Sequence, residues 1–259
     1  MELNLEDRVA FVAGSSRGIG HGIAQAFLAE GARVVLTGRD AGCLAVAARE
    51  LETAAGGEGR ILTIAGDLSD AAHARDAIAR TLGEWGRLDC LVANVGSGTS
   101  VRGWEVGLEE WHRVFRENVW SGVATVEAAL PVMLEAGAGS IVLIGSITGV
   151  EALGAPIAYG AAKAALVAYT KGLAHDVGPR GVRVNCVAPG NILFPGGSWA
   201  RRIEQDPERV REAIEREVPL RRFGTPAEVA AVVVFLASDR AAFVTGSCVI
   251  ADGGQTRGY

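Results

Sequence analysis

Val12–Gly20 reads VAGSSRGIG: a hydrophobic run enters a glycine turn, and a helical pattern begins near Gly18. Gly14, Gly18 and Gly20 remove side chains where the backbone must turn, approach a pyrophosphate and pack against the strand. The free N–H groups at the helix start favour an anion there. The spacing is G-x-x-x-G-x-G rather than the G-x-G-x-x-G of many dehydrogenases, and only its strand–turn–helix setting makes it a nucleotide signal. Outward from this stretch, short β-branched runs alternate with longer segments of helical period, each run ending in Gly, Asn, Asp or Pro. That alternation predicts an α/β fold, a parallel sheet covered by helices on both faces. The expected strands are Val9 to Ala13, Arg33 to Thr37, Ile61 to Ala65, Cys90 to Ala93, Ser140 to Gly145, Val182 to Ala188 and Cys248 to Ala251. Helices are expected at about Gly18 to Glu30, Ala41 to Ala54, Ala71 to Gly83, Leu108 to Glu135, Ala158 to Val177 and Pro226 to Ser238.

The 259 residues allow one large domain or two small ones, and 49% hydrophobic against 21% charged residues excludes disorder as the main state. No linker or repeat divides the chain, so a single unit over residues 1–259 is expected. Glycine is abundant, at 35 residues, without a collagen period. With 25 basic and 30 acidic residues the net charge is −5, which gives no footprint for nucleic acid or anionic lipid. No hydrophobic leader and no apolar run of membrane-spanning length are read, so a cytoplasmic protein is expected. The scattered Cys43, Cys90, Cys186 and Cys248 are expected to be buried thiols. His21, His73, His112 and His175 show no ligand spacing, so no metal is expected. After Pro189 the rhythm breaks, and residues 191–224, with paired glycines and a charged helix-like stretch from Pro207 to Glu217, are expected to form a lid over a substrate.

Tyr159 and Lys163 stand four apart on one helix face, with Ser146 ending the preceding strand. A Y-x-x-x-K pair alone is common by chance. Its weight comes from company: Asn94 and Gly96 in LVANVG, Asn118 in the following long helix, Pro189-Gly190 after the sixth strand and ADGG at Ala251 to Gly254. In this order and spacing the whole chain resembles the short-chain dehydrogenase/reductase family, its 3-oxoacyl reductase-like branch in outline.

The resemblance implies a Rossmann-like doubly wound parallel sheet of about seven strands and an oxidoreductase moving hydride between a nicotinamide cofactor and a carbonyl or secondary alcohol. Tyr159 would be the general acid or base, its phenol pKa lowered by Lys163, which also binds the nicotinamide ribose. Ser146 would hydrogen-bond the substrate oxygen, and Asn118 would hold a relay water. Gly14, Ser16, Arg17, Gly18, Ile19, Gly20, Asn94, Gly96, Pro189 and Gly190 would line the cofactor, with Asp67 and Leu68 at the adenine. The chain departs from the family at Ala13, Ala93 and Val95, which implies fewer side-chain hydrogen bonds in those loops. It also has Phe194 where a threonine often reaches the carboxamide, so backbone groups around Ile192 are expected to hold that group.

At the end of the second strand, VVLTGRD puts Gly38 at the position where NAD enzymes usually carry an acid, with Arg39 next to it. Arg17 and Arg39 favour NADP over NAD unless Asp40 pairs with Arg39. Trp104, Phe194 and Trp199 are candidates to face the substrate, against the alternative that they fill the lid's own core. Arg201, Arg202, Arg221 and Arg222 read as solvated or glutamate-paired, and Glu135 would repel an acidic carrier protein. An NAD-linked dehydrogenase of a sugar, polyol or hydroxysteroid and a non-catalytic nucleotide sensor remain as alternatives. A homotetramer is implied by the resemblance.

Overall fold

The computed structural model describes residues 2–55 and 59–258. Seven short apolar segments form one fully parallel sheet: β1 (Val9–Val12), β2 (Arg33–Gly38), β3 (Ile61–Ala65), β4 (Cys90–Ala93), β5 (Gly139–Ile144), β6 (Val182–Pro189) and β7 (Cys248–Ala251). Their order across the sheet is β3-β2-β1-β4-β5-β6-β7. The chain therefore winds outward from β1 in one direction, then restarts at β4 and winds in the other. A crevice opens between the carboxyl ends of β1 and β4, where ligands bind in open sheets of this kind.

Strands β1 and β4 are buried along their whole length, as parallel strands covered on both faces must be. On one face α1 (Gly18–Ala29), α2 (Ala41–Ala55) and α9 (Pro226–Ala237) pack Ile23, Phe27, Leu44, Leu51 and Val233 against the sheet. On the other, α3 (Ala71–Trp85), α5 (Ser121–Ala136) and α6 (Ile157–Val177) bring Ile78, Val126, Met133 and Leu166 onto Phe11, Leu91 and Ile141. A capping box starts α9: Thr225 accepts from the Glu228 N–H, and Glu228 accepts from the Thr225 N–H.

The long helix expected from Leu108 to Glu135 is broken. It runs as α4 (Leu108–Phe115), then a π-helical turn (Arg116–Trp120), then α5. The cause is Asn118, whose side-chain amide donates to the Val114 carbonyl at 3.0 Å. That carbonyl is the one the Asn118 backbone N–H would use in a regular helix, so the ladder widens and Ser121 N–H reaches back to Arg116 O. Leu108–Ala136 is as long and apolar as a membrane-crossing helix, yet its α5 portion packs on α3, β4 and β5.

The segment 191–224 holds two helices, one more than expected: α7 (Ser198–Gln205) and α8 (Pro207–Glu217). They share a small core in which Val210, Ile214 and Val218 pack with Trp199, Ile203 and Phe223. Among the cysteines, Cys90 and Cys186 are buried and Cys248 partly so. Cys43 is exposed, contrary to expectation, because it begins a solvent-facing helix turn rather than a strand.

Candidate active site

The glycine turn after β1 is held by more side-chain hydrogen bonds than its sequence promised. Asn94, at the end of β4, donates its amide to the carbonyls of Ala13 at 3.2 Å and Gly14 at 3.0 Å, and so ties the two strand ends flanking the crevice. Thr37 Oγ1 accepts from the Gly14 N–H at 3.0 Å, and the buried Ser15 hydroxyl accepts from the Thr37 N–H at 2.9 Å. Ser15 and Thr37 thus supply the loop hydrogen bonding that Ala13 and Ala93 cannot. Neither was read as functional, because a serine and a threonine twenty-two residues apart carry no mutual signal until strands pair.

Gly14 and Gly18 have φ of +65° and +61°, in the left-handed region where a side chain is strained. Gly20 is packed against the Gly14 carbonyl and the Asn94 amide, leaving no room for a Cβ. Arg17, in extended backbone, precedes α1 without a side-chain cap. Among the described residues no side chain accepts from the first-turn N–H groups of α1, which leaves them free for an anion. Two glycines credited to dinucleotide contact have a reason inside the protein. A Cβ on Gly190 would stand 2.8 Å from Asp252, and one on Gly96 would stand 2.8 Å from Asn118 Oδ1 and 3.1 Å from Lys163 Nζ.

That last pair of distances shows the convergence of Asn118 and Lys163 on Gly96. Asn118 is buried, its Oδ1 accepting from Ser97 N–H at 3.1 Å and its amide donating to Ser97 O at 3.2 Å. Lys163 is 4% exposed and donates to the Ile144 carbonyl at the end of β5, at 3.0 Å. Burial pulls its pKa down to about 8. Its Nζ lies 5.9 Å from the centre of the Tyr159 ring. The Tyr159 phenol is pushed upward by burial, and a hydrogen bond from Ser146 opposes that only in part. Among the described residues no hydrogen bond joins this phenol to Lys163, whose ammonium is held by the Ile144 carbonyl instead.

Ser146 begins a 3₁₀ turn (Ile147–Gly149), and its hydroxyl accepts from Thr148 Oγ1 at 3.0 Å and Thr148 N–H at 3.3 Å. Two donors on the oxygen leave the hydroxyl proton to point elsewhere. Gly149 makes this turn nest on α6, since a Cβ there would stand 2.5 Å from the Lys163 carbonyl carbon. Its close approach to α6 carries no signal in the sequence, for the same reason as the Ser15–Thr37 pair.

At the adenosine end, Asp40 accepts from the Cys43 N–H at 2.8 Å and so caps α2. No ion pair joins it to Arg39 among the described residues. Arg39 is exposed, and Asp67 feels its charge, although the Ser69 N–H does most to lower the Asp67 carboxyl. Leu68 is buried beside it. Gly38 lies against Ser16, whose Cβ and Oγ would stand 3.3 Å from a Cβ at that position.

The lid residues are placed less uniformly than expected. Phe194 lays its ring on Gly18, with Cε2 2.6 Å from where a Cβ would be, so it abuts the glycine turn. Ile192 bridges Gly224 through its neighbours: Leu193 N–H donates to Gly224 O and Gly224 N–H to Asn191 O, both at 2.9 Å. The backbone groups of Ile192 itself are left out of that bridge. Trp199 packs on Phe223 with ring centres 5.3 Å apart, inside the lid's own core. Trp104 is 81% exposed and faces solvent.

Known proteins resemble this arrangement over nearly the whole chain. The profile of the family described as "Enoyl-(Acyl carrier protein) reductase" matches residues 13–256. The 3-oxoacyl-[acyl-carrier-protein] reductase of Escherichia coli K12 is 34% identical over 253 residues, covering 98% of this chain and 99% of its own. The 2-(S)-hydroxypropyl-CoM dehydrogenase 3 of Xanthobacter autotrophicus Py2 is 37% identical over 257 residues, covering 99% of each. Among solved structures, the L-sorbose reductase of Gluconobacter frateurii complexed with NADPH and L-sorbose superposes with a TM-score of 0.93 at 32% identity, covering 100% of both chains.

Proposed function

Because the chain belongs to the short-chain dehydrogenase/reductase family of NAD(P)-dependent enzymes acting on CH–OH and C=O groups, we propose that it is an NADP-dependent oxidoreductase using Tyr159 as its acid and base. The observation that carries this reading is the convergence of Ser146, Tyr159, Lys163 and Asn118 beside the glycine turn. The uncapped start of α1 and the left-handed Gly14 and Gly18 fit the pyrophosphate of a dinucleotide. Gly14, Ser16, Arg17, Gly18, Ile19 and Gly20 would hold it, with Asn94, Gly96, Pro189 and Gly190 along the crevice and the backbone groups of Ile192 at the carboxamide. When bound, the nicotinamide supplies or accepts the hydride.

The protein's own residues handle the proton and the charge. Ser146 Oγ, already accepting from Thr148, donates its hydrogen to the substrate oxygen and stabilises the negative charge that builds there. Tyr159 Oη gives its proton to that oxygen in reduction and takes it back in oxidation. A phenol held upward by burial is a reservoir of proton at neutral pH, which suits the reducing direction. Lys163, with a pKa of about 8, can restore the proton to Tyr159, and Asn118 lies next to it at Gly96. Tyr159→Phe is expected to lower kcat by about 10²- to 10⁴-fold while leaving cofactor affinity in place. Activity within about tenfold of wild type would mean that another group carries the proton.

For the coenzyme, Gly38 leaves no carboxylate to repel a 2′-phosphate, and Asp40 is occupied with α2, so Arg39 is available to pair with one. The NADPH bound by the L-sorbose reductase supports the same choice. Arg39→Ala is expected to raise KM for NADPH by about tenfold, the worth of one charge-assisted hydrogen bond, and to leave KM for NADH nearly unchanged. A wild-type preference for NADH would overturn the assignment. Residues 191–224 would cover the substrate.

A further inference from the structure

Cys186 and Cys248 are partners in the register of β6 with β7, the last two strands of the sheet. Val187 and Val249, the residues that follow them, both pack into the core on the α1 side, so both cysteine side chains project from the opposite face, toward α6. Adjacent strands run about 4.8 Å apart, within the Cα separation of about 4.4–6.8 Å that a disulfide spans. Both thiols are free, and they differ in access: Cys186 is buried, whereas Cys248 is partly exposed on the edge strand. The hydrogen bond between them raises the Cys186 thiol, with burial adding to it, and lowers the Cys248 thiol against its own burial. An accessible thiol that ionises more readily thus stands beside a protected partner. Cys186 also reaches the catalytic cluster. A Cβ on Gly145 would stand 2.8 Å from its Sγ, and the Gly145 N–H donates to the Val187 carbonyl at 2.8 Å. Gly145 separates Ile144, whose carbonyl holds the Lys163 ammonium, from Ser146.

We propose that Cys186 and Cys248 are a thiol–disulfide modification site through which a peroxide slows the enzyme. The Cys248 thiolate attacks the peroxide: an S–O bond forms, the O–O bond breaks, and the departing hydroxide takes up a proton to leave as water. The Cys186 sulfur then attacks Cys248 Sγ: the S–S bond forms, the S–O bond breaks, and the Cys186 proton leaves with the hydroxide as a second water. The thiol pair is oxidised by two electrons and the peroxide is reduced. Because β6 lies between β5 and β7, a bond to Cys248 draws Cys186 Sγ toward β7 and away from Gly145. That takes packing support from the backbone carrying the Ile144 carbonyl and Ser146. The effect on turnover rests on the oxidoreductase reading above, whereas formation of the disulfide does not.

The test treats the full chain with hydrogen peroxide, removes the oxidant, and reads peptide masses and NADPH-dependent carbonyl reduction. Peptide mapping is expected to find Cys186 joined to Cys248, about 2 Da lighter than the two free peptides together. Turnover is expected to fall by about tenfold, the scale of a small misplacement of a catalytic group, and to recover with dithiothreitol. Cys248→Ser is expected to keep wild-type activity and to hold it through the peroxide treatment, and Cys43→Ser, at an exposed position, to respond as the wild type does. In Cys186→Ser the reaction stops at the sulfenic acid of Cys248, which dimedone traps. Absence of the linked peptide, or a link found only between chains on a non-reducing gel, would overturn the proposal. So would a loss of activity that persists in Cys248→Ser. A disulfide that leaves turnover unchanged refutes its link to the Ser146 turn. Should no carbonyl be reduced before oxidation, it is the oxidoreductase reading that fails, and the linked peptide still decides the modification site.

Discussion

Replacing Lys163 by methionine separates the cost of burying a charge from the benefit of its hydrogen bond. Lys163 is 4% exposed, and among the described residues only the Ile144 carbonyl accepts from its ammonium. Burial takes its pKa from the ordinary 10.5 to about 8, and at about 1.4 kcal/mol per pH unit this amounts to about 3 kcal/mol against the charged form. Methionine has similar length and removes that cost, but it strands the Ile144 carbonyl, a loss of about 1–3 kcal/mol. At pH 7 the two effects nearly cancel, so the sign of the stability change there is not diagnostic.

The pH dependence is diagnostic. Because the folded pKa lies below the unfolded one, the unfolded chain keeps the proton over a window in which the folded protein has released it, and stability rises with pH across that window. Between pH 7 and pH 9.5 the wild type should gain about 2 kcal/mol from this residue, and Lys163→Met should not. The assay is urea unfolding of both proteins at several pH values, with the difference between them cancelling groups common to both. A difference independent of pH, or one that moves in the variant's favour as pH rises, would refute the claim that a charged lysine is held at a desolvation cost beside Tyr159.

Two further outcomes follow from contacts elsewhere in the fold. Burial raises the Asp89 carboxyl, but hydrogen bonds from Arg87, the Val9 N–H and Arg8 outweigh it and hold the group below its usual 3.8. Its stabilisation is present above about 3.8 and lost as pH falls through the folded value. Asp89→Asn should therefore cost about 1–3 kcal/mol at pH 7 in urea unfolding, with the gap to wild type closing in acid. At Gly149, valine would collide with the Lys163 backbone and force the Ser146 turn off α6. Gly149→Val should cost about 1–3 kcal/mol and lower kcat far more than it changes KM for the cofactor; an unchanged kcat would show that this close approach does not position Ser146.

Much of the molecule was legible because its signals are local. Each strand is a short, mostly apolar run, and the turn at Gly14 to Gly20 is written in consecutive residues. Tyr159 and Lys163 share a helix face through a spacing of four. The π turn at Asn118 was invisible, since a helical period does not record whether one amide takes a carbonyl from the ladder. Pairing of Ser15 with Thr37 was equally hidden, and so was the close packing of Gly190 against Asp252. Phe194 was read against the substrate, yet its ring rests on Gly18, a contact between residues 176 positions apart that only chain folding creates.

By itself, then, the sequence determined the alternation of strands and helices, the order in which the reactive pieces occur, and the need for glycine at the first turn, because these depend on neighbours within a few residues. Tertiary structure alone decided that burial pushes the Tyr159 phenol upward and draws Lys163 down to about 8, and that Asn118 and Lys163 converge on Gly96. The physical reason is that desolvation and charge–charge distance belong to positions in space, and no spacing along the chain encodes how much water a folded group has lost.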